Sequence, residues 1–289
     1  MLPADVLRQV RRLHIRTRRA VQTLFGGEYH SAFKGSGLSF DEVREYQPGD
    51  DVRQIDWNVT ARTGTAFIKR YIEERELTIL LAMDVSGSLR FGTHMHTKRT
   101  VAAELAALVA FCAVSNHDRI GLLCFTSDVE KTVPPSKGTR HVLRVLRDIL
   151  YYEPQQNDTD LRTALDHLNK VQKRRAIVFL FSDFHEVPAE ALRRTAQQHD
   201  VICVRISDQR ELEMPAVGLL QTVDPETGVR VLLDTDDAGF RRDYATAATQ
   251  RQATNMAKLR QSGADVLEAR TDGRHFEEML RFFRRRERK

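Results

Sequence analysis

The sequence predicts an α/β protein built on a doubly wound, mostly parallel sheet with helices on both faces. Segments such as LTILLAM (77–83) and AIVFLF (176–181) are apolar at nearly every position, which is typical of strands buried on both sides. Between such strands, apolar residues recur at three- and four-residue spacing, as at 97–115, which indicates helices with one buried face. Because helical crossovers join parallel strands, this alternation from residue 77 onward predicts a single covered sheet.

The larger predicted domain, 76–289, continues the alternation of strands and helices to its end. A short strand with two prolines is placed at a sheet edge, because proline cannot donate a hydrogen bond to a neighbouring strand. A Pro/Gly turn between two apolar runs predicts an inserted β-hairpin at about 215–235. The other predicted ranges are strand 119–127, edge strand 131–136, helix 138–152, helix 157–171, strand 174–184, helix 188–199, strand 200–207, helix 240–261, strand 264–269 and helix 275–285.

Residues 1–75 predict a smaller α+β attachment ahead of this domain. A basic helix is predicted at 3–25, where apolar residues fall toward one side. A glycine-rich loop follows, and Pro48-Gly49 suits a tight turn, because proline presets φ and glycine tolerates a positive φ. The segment TAFIKRYIEE (65–74) then predicts a strand.

Both ends of the chain are basic. Lysine and arginine number 45 against 40 acidic residues, which gives a net charge of +5. The basic runs are RQVRRLHIRTRR (8–19) and RFFRRRERK (281–289), and such runs occur in proteins that bind nucleic acid or anionic membrane surfaces. We favour a solvated helix face and a solvated tail, and we keep nucleic-acid or membrane-surface binding as an alternative.

Cysteine usage and hydropathy predict a cytoplasmic protein. Cys112, Cys124 and Cys203 each lie in an apolar stretch, and no CxxC pair occurs, which indicates buried thiols in a reducing compartment. No apolar run approaches the roughly 18 residues of a membrane span. The basic first 25 residues lack the apolar core of a secretion signal, so we expect neither a transmembrane segment nor export.

Oxygen-bearing side chains occur at three places beside the predicted strands. Asp84, Ser86 and Ser88 follow the first strand of the sheet, Thr159 begins a later helix, and Asp183 follows the strand AIVFLFS. Because ligands of open α/β sheets bind at the carboxyl ends of strands, we expect these side chains to converge. Carboxylates and hydroxyls are ligands that Mg²⁺ prefers, with Mn²⁺ and Ca²⁺ as alternatives. Neutral hydroxyls leave the charge of the ion uncancelled, so the metal would attract an Asp or Glu of a partner protein.

The pattern D-x-S-x-S, with a later threonine and aspartate, resembles the metal-ion-dependent adhesion site of the von Willebrand factor A fold, a Rossmann-type fold. That family often has glycine where this chain has Phe184. The segment YQPGDDVRQIDW (46–57) is similar to the signature of the family called domain of unknown function 58, which places it before a von Willebrand A-like domain. This resemblance covers nearly the whole chain. It implies an adaptor that works with a MoxR-type AAA+ ATPase in a chaperone-like or complex-maturation system.

A second group of candidate residues lies in and beside the same segment of the attachment. They predict either a polar network that clamps the attachment to the main domain or a recognition surface. We favour the clamp, because a tryptophan beside turn residues usually packs. The residues are Arg44, Asp50, Asp51, Arg53, Asp56 and Trp57.

The leading functional hypothesis is a divalent-metal-dependent protein–protein interaction module that is not an enzyme. The oxygen ligands are not accompanied by a nucleophile and a matching base. The rival hypothesis is a Mg²⁺-dependent phosphohydrolase, since LLAMDVSGS superficially resembles the haloacid dehalogenase pattern of an aspartate at a strand end. That pattern normally has a second aspartate where this chain has Ser86, and no lysine motif of that family follows.

Overall fold

The computed structural model describes residues 17, 39–48, 50–52, 55–72, 76–93, 96–224 and 227–288. Apart from residue 17, the basic helix predicted at 3–25 lies outside these residues, and so does Arg53. The chain divides into two compact units, one of Phe33–Glu76 and a larger one that contains Leu77–Lys289.

In the part of the smaller unit that the structure describes, two antiparallel strands and one short helix are present. The strand β1 (Ser39–Glu45) pairs with β2 (Phe67–Ile72), and α1 (Trp57–Thr63) precedes β2. Asp56 caps α1, because its carboxylate accepts two backbone N–H groups of the first turn at 2.9 and 3.3 Å. The unit therefore contains both a helix and strands, as an α+β attachment requires.

A six-stranded sheet forms the centre of the larger unit. The described strands of this unit are β3 (Thr78–Asp84), β4 (Arg119–Phe125), β5 (Val129–Ser136), β6 (Ile177–Ser182), β7 (Asp200–Ser207), β8 (Leu219–Val223), β9 (Arg230–Asp234) and β10 (Asp265–Arg270). In the central sheet the spatial order is β10-β7-β6-β3-β4-β5. All neighbours are parallel except β5, which runs antiparallel to β4 at the edge. The predicted mostly parallel sheet is confirmed.

Helices pack on the two faces of this sheet. Those of the larger unit are α2 (Lys98–Ser115), α3 (Thr139–Tyr151), α4 (Leu161–Val171), α5 (Ala189–Gln198), α6 (Ala238–Gln261) and α7 (His275–Glu287). The helix α2 contacts α3 and α7, whereas α5 contacts α4 and α6. Leu80 and Ala82 of β3 belong to the core under α4, α5 and α6, and the alternate residues Leu81 and Met83 are buried on the other face.

The order of the strands changes direction between β3 and β6. The chain runs from β3 through β4 to β5 and then returns to place β6 on the opposite side of β3. Numbered along the chain, the central sheet has the doubly wound order 3-2-1-4-5-6. Connections that leave two neighbouring strands in opposite directions open a crevice at the carboxyl ends of those strands. In this protein β3 ends at Asp84, and Asp183 directly follows β6.

A β-hairpin lies outside the central sheet in the region where the insertion is predicted. Its strands β8 and β9 pair antiparallel with each other. Thr235 is fully buried at the root, where its hydroxyl donates to the Gly218 carbonyl at 2.6 Å and accepts the Val217 N–H at 2.9 Å. Leu219 and Leu232 are exposed. The root of the hairpin is therefore fixed, and part of its apolar surface faces solvent.

The cysteines are buried and form no disulfide, as the sequence predicts. Burial, more than any other influence, raises the pKa of Cys112 and Cys124 to about 12, so these thiols stay protonated at neutral pH. None of the described helices is both long enough and apolar enough to cross a membrane.

Candidate functional site

Asp84 stands at the carboxyl end of β3, beside the carboxyl end of β6. Its side chain is buried, and it accepts the Ser86 N–H at 3.0 Å on one oxygen and the Ser182 hydroxyl at 2.8 Å on the other. Burial, followed by the nearby charge of Asp183, raises the pKa of Asp84 to about 6, against the lowering effect of both hydrogen bonds. A proton and a cation would therefore compete for this carboxylate.

The two serines of the loop after β3 bring their hydroxyls together. Ser86 and Ser88 are buried, and their Oγ atoms lie 3.1 Å apart. Ser88 belongs to a 3₁₀ turn (Gly87–Arg90) that begins three residues after the last residue of the strand. The alternation D-x-S-x-S thus places one carboxylate and two hydroxyls at a single strand end.

Asp183 is buried and bound to a lysine that the sequence analysis did not identify. Lys98, the first residue of α2, places its Nζ 2.7 Å from Asp183 Oδ2 and 2.5 Å from Glu211 Oε1. The Lys98 side chain is only 1% exposed. Burial raises the pKa of Asp183, but the charges of Lys98 and His185 outweigh it and hold the pKa below its usual value.

The ammonium of Lys98 keeps its proton despite its burial. Burial lowers the pKa of Lys98, but the carboxylates of Asp183 and Glu211 outweigh it and raise the pKa above its usual value. Asp183, His185 and Glu211 bring ligand atoms within 4.8 Å of one another, an arrangement that could also hold a metal. The Lys98 ammonium already contacts two of these three residues, so this cluster contains a cation of its own.

Thr159 reaches the same site from the loop between α3 and α4. It lines an open cleft of about 760 Å³ together with Ser88 and Asp183. The cleft adjoins Asp84 through Ser182, which also lines it. The loop is joined to the β3 end by a hydrogen bond of 2.9 Å from the Gly87 N–H to the Asn157 carbonyl. The five predicted ligands are thus brought to one region of the molecule.

The Thr159 hydroxyl provides the test of whether a cation suits this region. Its Oγ1 is buried and has no hydrogen-bond partner in the part of the chain that the structure describes. Buried polar atoms normally have a partner, and a hard cation would serve as one for a hydroxyl oxygen. The other candidate ligands, Asp84, Ser86, Ser88 and Asp183, also offer only oxygen atoms. The residues present therefore fit a Mg²⁺-like cation.

The walls of the cleft are acidic overall. Carboxylates outnumber arginine and lysine side chains, and such a wall attracts cations and repels free carboxylates. The acidic residues lining the cleft are Asp158, Asp160, Asp183, Glu186 and Asp224, and the basic ones are Arg162 and Lys258.

The loop after β6 adopts a conformation that its sequence does not favour. Phe184 has a φ of 55°, in the left-handed region, and its side chain is buried. Asn255 of α6 donates from its Nδ2 to the carbonyls of Phe184 and His185 at 2.9 and 2.8 Å. Asn255 therefore helps to fix the backbone beside Asp183.

The carboxylate of Glu130 positions the loop that carries Thr159. Glu130 of β5 accepts the Tyr152 hydroxyl at 2.9 Å and the backbone N–H groups of Gln155 and Gln156 at 3.1 Å. Burial raises the pKa of Glu130, but hydrogen bonds from Thr126 and this loop outweigh it and lower the pKa. The loop is thus pinned to the edge strand two residues before Asp158.

Lys98, Glu211 and Asn255 are the residues of this region that sequence reasoning missed. Lys98 carries a usable signal, because a lysine in the first turn of a helix opposes the helix dipole and needs a compensating partner. Glu211 lies three residues after Asp208 in a capping box, which indicates a turn but no site. Asn255 is a single polar residue on a long helix, and no local pattern identifies its role.

The candidate residues of the smaller unit form a local network only in part. Arg44 donates to both carboxylate oxygens of Asp50 at 2.7 and 2.9 Å, and Asp56 serves as the helix cap. Asp51 is exposed. Trp57 is 69% exposed, contrary to the packing expected for it. The choice between a clamp and a recognition surface stays a prediction.

Comparisons with known proteins give a family and relatives without a described activity. The family described as "Protein of unknown function DUF58" matches residues 42–254. The uncharacterized protein Rv1480 of Mycobacterium tuberculosis H37Rv is 34% identical over 283 residues, which cover 96% of this chain and 89% of that protein. The uncharacterized protein YeaD of Bacillus subtilis is 25% identical over 149 residues, 52% of this chain and 34% of that protein.

Among solved structures, the chain is similar to that of a conserved hypothetical protein, BatB from Bacteroides thetaiotaomicron. It is 13% identical, covers 74% of this chain and 100% of its own, and superposes with a TM-score of 0.45.

Proposed function

The chain belongs to the DUF58 family of proteins of unknown function, and we propose that it is a divalent-cation-dependent protein–protein interaction module rather than an enzyme. The observation that carries this proposal is the buried hydroxyl of Thr159, which has no hydrogen-bond partner among the described residues and lies in a cleft shared with Ser88 and Asp183. The strand order and the D-x-S-x-S loop support a von Willebrand A-like domain with a metal-ion-dependent adhesion site.

The proposed site would hold Mg²⁺ with oxygen atoms alone, and Mn²⁺ or Ca²⁺ are alternatives. The hydroxyls of Ser86, Ser88 and Thr159 are the neutral ligands. Asp84 and Asp183 are the charged ligands, directly or through water. When bound, the cation supplies a coordination position that accepts a carboxylate of the partner.

The charge of the cleft supports a partner that depends on the cation. Carboxylates on the walls would repel an acidic side chain of another protein, because like charges at short range disfavour association. A divalent cation reverses the local sign and would permit an Asp or Glu to enter. The resemblance stated above suggests a MoxR-type AAA+ ATPase as that partner, and the buried, unpaired thiols suit a cytoplasmic setting.

The alternatives receive less support. A phosphohydrolase would need Asp84 as an accessible nucleophile, but its side chain is buried and both its oxygens accept hydrogen bonds. Binding of nucleic acid or anionic membranes through the basic C-terminal end would need free arginines. At this end one arginine, Arg286, is already paired with Asp200 and Asp265, which reduces the free positive charge there.

The proposal is tested by titrating Mg²⁺ into metal-free protein with isothermal titration calorimetry. We expect one saturable site, and Asp84→Asn and Thr159→Val should each weaken binding at least about tenfold, as expected when a ligand is lost. Asp243→Asn, which removes an exposed carboxylate of α6, is the control and should bind as the wild type does. Absence of saturable binding, or equal binding by all four proteins, contradicts the proposal.

A further inference from the structure

Lys98 is a cation built into the candidate metal site. Its ammonium contacts the carboxylates of Asp183 and Glu211, one on the loop after β6 and the other on the 3₁₀ turn after β7. A buried ammonium requires such compensation, because water no longer solvates it. The lysine also begins a helix, where the helix dipole disfavours a positive charge. Among the described residues, the two carboxylates compensate this charge, and the ring of Phe91 lies with its centroid 6.0 Å from the ammonium.

The charges around the site set how strongly it would hold a second cation. Asp84, Asp183 and Glu211 are three carboxylates, and Lys98 neutralises one of them. Counting these four side chains alone, a divalent cation would bring the group to a net charge of zero. The guanidinium of Arg205, which also interacts with Asp183 and Glu211, is unchanged by substitution of Lys98. Without the lysine, the same group and its cation would retain one negative charge. That charge would attract the cation more strongly and would repel an incoming carboxylate.

We propose that Lys98 is a tethered counter-cation that weakens the hold of the site on its divalent cation and thereby keeps the bound cation able to accept a carboxylate from a partner. This inference rests on the proposed function. Asp183 Oδ2, which the ammonium contacts at 2.7 Å, is the atom through which the lysine acts. Lys98 is thus a positioning and charge-setting residue and does not itself touch the partner, since its side chain is buried.

A purely structural role for Lys98 predicts a different outcome. In that case the ammonium only fastens the start of α2 to the loops after β6 and β7. Every substitution in the triad would then loosen the site and weaken cation binding. The charge-setting role instead predicts changes of opposite sign for the removal of a positive charge and of a negative charge.

The experiment is a double-mutant cycle in which charges are removed and the affinity for Mg²⁺ alone is measured by calorimetry. Lys98→Met should bind Mg²⁺ about tenfold more tightly and Glu211→Gln about tenfold more weakly, because the net charge changes in opposite directions. The double variant, Lys98→Met with Glu211→Gln, restores the charge of the wild type and should bind within about threefold of it. Weaker binding by all three variants overturns the inference.

A second measurement tests directly whether the bound cation accepts a carboxylate from another molecule. Acetate is titrated into Mn²⁺-loaded protein, and the solvent-water relaxation enhancement reports displacement of water from the ion. Acetate should bind more weakly to Lys98→Met and more tightly to Glu211→Gln than to the wild type, and the reverse order overturns the inference. If Lys98→Met does not fold, the acetate titration of Glu211→Gln decides alone, and acetate binding equal to or weaker than that of the wild type is the overturning result. Failure of the wild type to bind Mg²⁺ would instead contradict the proposed function.

Discussion

Phe184 lies at a position where the adhesion-site pattern often has glycine, and the packing of its side chain accounts for a bulky residue there. Its left-handed backbone costs about 1–2 kcal/mol relative to a favoured conformation. Its side chain is buried in the core beneath α4, α5 and α6, and burial of a phenylalanine contributes about 1.5–3 kcal/mol. Packing therefore offsets the strain, and Asn255 holds the backbone in place.

Asp208 links the stability of the larger unit to pH. Its carboxylate accepts the hydroxyls of Thr93 and Thr271, both at 2.6 Å, and the backbone N–H groups of Thr93 and Arg210, both at 2.9 Å. Burial raises the pKa of Asp208, but these hydrogen bonds outweigh it and lower the pKa to about 2. The difference from the ordinary value of 3.8 corresponds to about 2 kcal/mol.

A carboxyl group whose pKa is lower in the folded state than in the unfolded state stabilises the fold at pH values above its unfolded-state pKa. This stabilisation is lost as the pH falls through the folded-state pKa. We expect the Asp208 contribution to be complete above about pH 4 and to disappear as pH falls through about 2. Asp208→Asn should lower the free energy of unfolding by about 2 kcal/mol at pH 7 and flatten its pH dependence in that interval. Urea unfolding at several pH values measures both effects. An equal loss in Asp243→Asn, the exposed control, would rule out this explanation.

At the scale of elements, the segment between the 3₁₀ turn and α2 determines where Lys98 lies. The backbone N–H of Lys98 donates to the Phe91 carbonyl at 2.8 Å, which closes the loop between them. A Cβ atom on Gly92 would lie 2.5 Å from the His96 carbonyl oxygen and 2.6 Å from Thr97 Cα. Only glycine permits this approach of two backbone segments.

Gly92→Ala should therefore displace the start of α2. Since the clash is with backbone atoms, we expect the free energy of unfolding to fall by about 1–3 kcal/mol, measured by urea unfolding. Gly239→Ala in the first turn of α6 is the matched control, because its Cβ meets only the Asp237 side chain, at 3.1 Å. Its effect should stay within about 1 kcal/mol. Equal destabilisation by both changes would show that the close approach is unimportant.

Local sequence patterns were sufficient to predict the strands of the central sheet and to single out polar residues that follow them, but not the contacts between loops. Apolar runs predict buried strands because burial on both faces tolerates no polar side chain. Asp84 and Asp183 were identifiable because each directly follows such a run. The pairing of Lys98 with Glu211 depends on residues 113 positions apart, and no local pattern encodes it. Asn255 was missed for the same reason, since its partners lie about 70 positions away.

For the whole molecule, cation binding and folding should be coupled. The proposed ligands come from separate loops that the folded sheet brings together, so a cation would bind the native state and not the unfolded chain. At 100 times its dissociation constant, Mg²⁺ should add about 2.7 kcal/mol to the free energy of unfolding. Thermal unfolding with Mg²⁺ and with a chelator should differ by several degrees. At the same Mg²⁺ concentration Thr159→Val, which should bind at least about tenfold more weakly, should gain about 1.4 kcal/mol or less. A variant that keeps the difference in full would contradict the coupling.

The placement of β6 beside β3 also has a consequence for synthesis on the ribosome. Asp84 and its bonding partner Ser182 are 98 positions apart, so the ribosome must deliver nearly a hundred further residues before the second side of β3 is covered. Until then an apolar strand has an open edge, which can pair with other chains. We expect nascent chains that stop before residue 177 to aggregate and to require chaperones, whatever ions are present.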